Sequence, residues 1–234
     1  ADVHDGFANA LKLQCTTADT SIAAGEFFGF RTFLEGQDLQ QIQKGSSAAK
    51  QLILSFYVKG NANATYTCEL TDRDNDRTNA QTFNVTTSWS RVTLTFAADT
   101  TGAFDDDNGS SLQIAWWLHA GSTYTSGTFS PNTWASRVQA NRISSSQTSF
   151  FDSTSRTLFI TGVQLEIGSV ATDFEHKSFA KELALCQRYY WIVDGQGRRY
   201  CGQWNTNRST AQYSHPVEMR ATPTSTGTIT NASR

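Results

Sequence analysis

Charge is what this chain has least of. Asp, Glu, Lys and Arg make up 17% of its 234 residues, and the formal net charge is −2 with no basic run. A surface of that kind is a poor match for a polyanionic backbone, so nucleic acid is not an expected partner. Long apolar runs are missing as well. No stretch approaches the roughly 18 residues of a membrane-spanning helix, and no secretory leader is visible, so no membrane insertion is expected. The four cysteines, Cys15, Cys68, Cys186 and Cys201, stand far apart with no CxxC pair. Zinc ligands come in close pairs and disulfide scaffolds are denser, so the expectation is free, mostly buried thiols acting as small apolar residues. There is no internal repeat and no GxSxG elbow. The four histidines, His4, His119, His176 and His215, lie in unrelated contexts, so no nucleophile and base are paired by motif. The first residue is Ala, which reads as a processed or excised end.

What the chain does have is 12% aromatics and 16 glycines against three prolines, with abundant Thr and Ser, the composition of a β-rich protein. Phe7, Leu11, Leu13 and Cys15 alternate as a first strand, and SIAAGEFFGFRTFLEG adds an apolar patch at Phe28, Phe30 and Phe33. In QLILSFYVKG, Leu52, Leu54, Phe56 and Val58 share one face, with Tyr66, Cys68 and Leu70 expected on its antiparallel partner and Phe83 and Val85 on a third strand. Trp89 precedes the alternating Val92, Leu94 and Phe96 and is expected to pack at the edge of the core. In LQIAWWLHAG, Leu112, Ile114, Trp116 and Leu118 face one way and Trp117 and His119 the other. Strands of this length without a convincing helix before residue 174 give an all-β, antiparallel β-sandwich.

Two periods meet between Leu158 and Trp191. Ile160, Val163, Leu165 and Ile167 read as a strand with a bulge at Gly162; then Phe179, Leu183, Cys186 and Tyr190 fall on one face of a short helix expected over 174–191. The run GVQLEIGSVATDFEHKSFAKELALCQRYYW, through Gln164, Glu166, Phe174, Glu175, Glu182, Cys186, Gln187, Arg188 and Tyr189, resembles the junction of a family of bacteriophage virion proteins, chiefly tail fibres and related appendages. In that family it ends a carbohydrate-binding-module-like jelly roll and opens a C-terminal β region. The SWSRVTLTF phrase resembles the same jelly-roll modules in carbohydrate-binding proteins, and the PVEMRATPT segment resembles a strand of the virion family. The resemblance implies a jelly roll of the galactose-binding-like type over residues 1–170, a linker helix over 171–191 and a small C-terminal β region over 192–234, truncated or unusually short. Within that region RYYWIVDGQGRRYCGQWN reads as a hairpin with GQG in its turn.

Few constellations carry chemistry. Asp72, Asp74 and Asp76 have calcium-loop spacing, but Arg77 and Phe83 stand where that loop needs a glycine and a bidentate acid, so a solvated turn is expected. Asp105, Asp106 and Asp107 before Asn108-Gly109 also read as a turn. The structural calcium of carbohydrate-binding jelly rolls would take an Asp where this chain has Thr161-Gly162-Val163, so no metal and no cofactor are assigned. Glu35, Glu69, Glu166 and Glu175 are not paired by any spacing, and no catalytic residue is assigned.

Sugar recognition needs an aromatic face for a pyranose with polar groups beside it. The aperiodic segment 121–157 supplies Tyr124, Phe129, Trp134 and Arg137, the strand before it supplies Trp117 and His119, and Trp204 with Asn205 and Asn207 is a more distal candidate. Against this stands the plainer expectation that such rings fill a core or an interface. Phe179, Leu183, Tyr189, Tyr190 and Trp191 are the candidate interface residues. The resulting expectation is a non-enzymatic virion protein, a tail-fibre-like appendage adhering to a host-surface glycan, homotrimeric and in contact with other virion proteins. A capsid decoration or head-fibre protein of purely architectural role and a polysaccharide depolymerase are the alternatives.

Overall fold

The computed structural model describes residues 2–192, 202–205, 208–210 and 214–224, with the side chains of 202–205 and 208–210 outside that description. The strands in chain order are β1 (Leu11–Gln14), β2 (Phe27–Glu35), β3 (Leu52–Gly60), β4 (Ala64–Asp72), β5 (Arg77–Val85), β6 (Ser90–Phe96), β7 (Ser110–Ala120), β8 (Ala135–Ser136) and β9 (Thr157–Ile167). One sheet runs β1-β9-β3-β6 and the other β2-β7-β4-β5-β8, with every pairing antiparallel. The fold is an all-β, jelly-roll-like sandwich, followed by a short helix and a two-stranded ribbon. Two compact units result, Ala1–Phe174 and Glu175–Arg234.

The sandwich follows from the period-two rows. Leu52, Leu54, Phe56 and Val58 from β3 meet Tyr66, Cys68, Leu70, Leu112, Ile114, Trp116 and Leu118 from the opposite sheet, all buried in one core. Phe56 lies with its ring 5.2 Å from Phe83 and 5.8 Å from Trp116, edge-on to both. Each such side chain removed from water is worth roughly 1.5–3 kcal/mol. Cys15 and Cys68 are buried free thiols, whereas the free thiol of Cys186 is exposed and Cys201 lies outside the described residues.

Several sequence expectations need correction. β4 is not the hydrogen-bonded partner of β3; it pairs with β5 and β7 and faces β3 across the core. Alternation fixes which face a residue takes and leaves its neighbour open. Phe28 and Phe30 pack on the core, but Phe33 points out of β2, 42% exposed. The first strand is confined to Leu11–Gln14, and Leu11 is exposed. Trp89 packs outside the main core, its ring 5.7 Å from His4 and 6.3 Å from Phe159.

The acidic turn after β4 is the largest departure. Asp74 and Asp76 are exposed, but Asp72 is fully buried. The Lys44 ammonium sits 2.5 Å from Asp72 Oδ2 and 3.1 Å from Asp99 Oδ2, and it donates to the carbonyls of Thr101 (2.8 Å) and Gly102 (2.7 Å). The other Asp72 oxygen accepts the backbone N–H groups of Asp74 and Asn75. A lysine enclosed by four oxygens thus neutralises the turn from inside. Burial pushes the Asp99 carboxyl up, but hydrogen bonds from Arg77 and Lys44 outweigh it and hold the group below the usual carboxylate range.

The bulge in β9 falls at Gly162, which takes φ +60; the register slips there, with Ser55 opposite Gln164 and Tyr57 opposite Thr161. A Cβ at Gly162 would lie 2.6 Å from the Phe7 ring. The chain after β9 then latches back on the sheet. Glu166 accepts the N–H and hydroxyl of Thr172, Gln164 donates to the Asp173 carbonyl, Arg91 donates to the Thr172 carbonyl, and Phe174 packs 5.1 Å from Phe7. Phe174 therefore belongs to the sandwich, not to the helix.

In the second unit a helix covers Phe179–Gln187, shorter than the expected 174–191, with Ser178 capping its N-terminus through Lys181 N–H. β10 (Gly202–Asn205) pairs with β11 (Arg208–Thr210). The GQG turn expected at 195–197 lies outside the described residues. The PVEMRATPT segment carries no strand over 214–224, and Arg220 N–H bonds the Arg188 carbonyl at 3.0 Å.

Candidate functional site

The outer face of the five-stranded sheet carries a pocket of about 410 Å³. The alternation that sends Phe28 and Phe30 inward turns Phe27, Arg31 and Phe33 outward on β2; Gln113, Ala115 and Trp117 do the same on β7, and Thr71 on β4. Segment 121–148, which opens with the single helical turn α1 (Ser122–Thr125), folds over this face as one wall and contributes Tyr124, Arg137, Gln139 and Arg142.

Three rings cluster on one side. Trp117 lies 5.7 Å from Phe27 and 5.4 Å from Tyr124, and Phe27 lies 5.5 Å from Tyr124. Phe27 is 59% exposed and Tyr124 half-buried, whereas Trp117 is almost covered. Its indole N–H donates to Glu69 Oε2 at 3.0 Å. Arg142 holds the same carboxylate with two bonds, of 2.8 and 2.7 Å, and its guanidinium stands 4.7 Å from the Trp117 ring. Gln139 accepts a third Arg142 bond at 2.8 Å. Indole, carboxylate and guanidinium lock one another, so the aromatic floor is fixed before a ligand arrives.

Gly29 sets the strand geometry beside these rings. A Cβ there would come 2.1 Å from the Trp116 carbonyl oxygen, and the β2–β7 register shifts between Phe28 and Gly29. Only a glycine admits that close approach, and the extra residue at the shift is Leu118 on β7, which puts Trp117 opposite Gly29 and His119 opposite Phe28.

Of the residues singled out in the sequence, Trp117, Tyr124 and Arg137 line this pocket. Arg137 is paired with Asp76 at 2.6 Å. His119 does not reach it: the ring is 3% exposed, its Nδ1 is 2.8 Å from Ser149 Oγ, and Phe151 packs edge-on. Burial lowers the pKa of this histidine, with Glu26 and Asp19 opposing. Trp134 is also elsewhere. Its indole N–H donates to the Ala97 carbonyl at 2.8 Å and its ring packs on the core. Phe129 is not among the lining residues, and the side chain of Trp204 lies outside the described residues. Phe179, Leu183, Tyr189 and Tyr190 are exposed, while Trp191 is half-buried beside His215 at 5.2 Å. Sequence reasoning missed Phe27, Arg31, Arg73 and Arg142, although the polar-out phase of β2 was open to reading.

Among the described residues no three metal-capable side chains converge. No helix among them is long and apolar enough to cross a membrane. No protein-family model matches the chain, and no curated protein matches it. Among solved structures, one titled "CBM4 structure and function" aligns with 71% of this chain and 74% of its own, at 16% identity and a TM-score of 0.36. That is a loose similarity of fold.

Proposed function

We propose that the sandwich is a glycan-binding module and that the pocket over Trp117 is where the sugar sits. The observation that carries this reading is the pairing of a fixed aromatic group, Phe27, Trp117 and Tyr124, with convergent polar side chains in one cavity. Aromatic faces take the apolar side of a pyranose, and guanidinium and amide groups beside them take its hydroxyls. The latch formed by Gln164, Glu166, Thr172 and Phe174 gives a physical role to the phrase that resembles virion appendage proteins. On that resemblance the chain serves as a tail-fibre-like component displayed on a phage, binding without catalysis and assembled as a homotrimer. Asp76 in the pocket lining and Glu69, buried beneath Trp117, are each engaged by an arginine, which favours binding over a two-carboxylate hydrolase.

The purely architectural reading has its own support in the second unit, where Phe179 is 80% and Tyr190 70% exposed, apolar surface suited to assembly. Glycan-array binding by the full chain and by Tyr124→Ala separates the two. The adhesin reading expects binding that falls about tenfold, or roughly 1.4 kcal/mol, when the ring is removed. Array-wide silence from a folded, correctly assembled protein would leave only the architectural role. Light scattering checks the trimer directly.

A further inference from the structure

Two of the pocket's four arginines have no counter-charge among the described residues. Arg142 is held by Glu69 and Arg137 by Asp76, but among the described residues neither Arg31 nor Arg73 has a carboxylate within ion-pair distance. Both are exposed on the same rim. Their guanidinium carbons stand 5.4 and 5.3 Å from the centre of one ring, the outward-facing Phe33, which partly covers that phenyl. Arg73 is tethered further by Nε–H to the Ser110 carbonyl at 3.1 Å, which leaves its terminal N–H groups for another acceptor. In a chain whose formal net charge is −2, two unneutralised guanidiniums pre-placed beside a sugar-sized aromatic cavity form a local positive focus.

We propose that the ligand is an acidic oligosaccharide, the carboxylate or sulfate of one sugar unit held by Arg31 and Arg73 while another unit of the same chain lies against Phe27 and Tyr124. This deepens the glycan reading and rests on it. Arginine suits the task because its planar donors match an oxyanion in pairs, and stacking on Phe33 keeps both side chains from collapsing into bulk solvent. Neutral sugars would gain only hydroxyl hydrogen bonds from this rim, without the charge assistance an oxyanion brings.

The test is calorimetric titration of the full chain with three probes: an oligogalacturonate, the same oligosaccharide with its carboxyls reduced, and a sulfated oligosaccharide of equal length. The expected result is binding of one acidic probe at least tenfold tighter than the reduced one, a loss of about tenfold in each of Arg31→Gln and Arg73→Gln, and weakening in high salt. Preference for the uronate or the sulfated probe identifies which oxyanion the rim takes. Equal binding of the acidic and reduced probes, or unchanged acidic binding in the double variant, overturns the acidic-ligand proposal while leaving glycan binding intact. Binding of none of the three, with the array also silent, overturns both. Both arginines are exposed, so the variants should fold, and unchanged melting temperatures would confirm that the effect is local.

Discussion

Arg142 and Glu69, 73 positions apart in the chain, meet as a bidentate ion pair buried directly against the Trp117 ring. Glu69 is 0% exposed and sits in the middle of β4, where a charged side chain would otherwise be costly. The pair joins the folded-over loop to the sheet, so the pocket wall and its aromatic floor are one mechanical unit.

Removing either partner should therefore damage more than the pocket. Arg142→Ala or Glu69→Gln leaves the other group desolvated without its partner, and losses of about 3–5 kcal/mol are expected in urea unfolding. The double variant Arg142→Met/Glu69→Leu should lose much less than the sum, because no orphaned charge remains. Strictly additive losses would show that the two side chains are not energetically coupled.

The lysine cage makes a comparable prediction at the end of β4. Lys44→Met would leave Asp72 and Asp99 buried near each other without the ammonium that separates them, and a loss of about 3–5 kcal/mol is expected. Asp99 is held below its ordinary value when folded, so the unfolded chain takes up its proton first as pH falls. Its contribution is complete above about pH 3.8 and is lost below that. Lys44→Met removes one of the groups holding it low, so acid unfolding should begin at higher pH. An unchanged acid midpoint would argue against the cage.

The fold was legible where alternation was clean, and the site only in part. Leu52 to Val58 and Leu112 to Leu118 announce their buried faces, but the same rows are satisfied by strands lying side by side or stacked, so alternation alone puts β4 in the wrong sheet. Trp134 and Tyr124 look alike in an aperiodic segment. What separates them is that the Trp134 indole finds the Ala97 carbonyl and the core, while Tyr124 finds Trp117 and Phe27. Arg31, Arg73 and Arg142 carried no signal, because an arginine's role is set by the partner that folding supplies or withholds.

Gly29 offers a test of whether strand geometry governs the pocket. Gly29→Ala forces a Cβ to within 2.1 Å of the Trp116 carbonyl, so β2 must shift, at an expected cost of about 1–3 kcal/mol. Phe27 moves with it, so sugar affinity should fall as well. Gly25→Ala is the control: nothing lies within 4 Å of its Cβ, so both stability and binding should stay near wild type.

His119 provides the last prediction, and its sign is fixed by burial. The folded imidazole sits below its ordinary value of 6.5 because burial disfavours the cation, with Glu26 and Asp19 opposing but not reversing the shift. In the unfolded chain the ring protonates first as pH falls, so the unfolded state binds more protons and gains stability relative to the native one. The contribution is therefore complete above about pH 6.5 and shrinks below it, in a window well separated from that of Asp99. His119→Gln keeps a polar group near the Ser149 hydroxyl and removes the titration. Melting temperatures from pH 8 to pH 5 should fall more steeply in the wild type than in this variant. Parallel slopes in the two proteins would mean that His119 takes up its proton without opening the sandwich, and the buried, Ser149-bonded ring would then need another account.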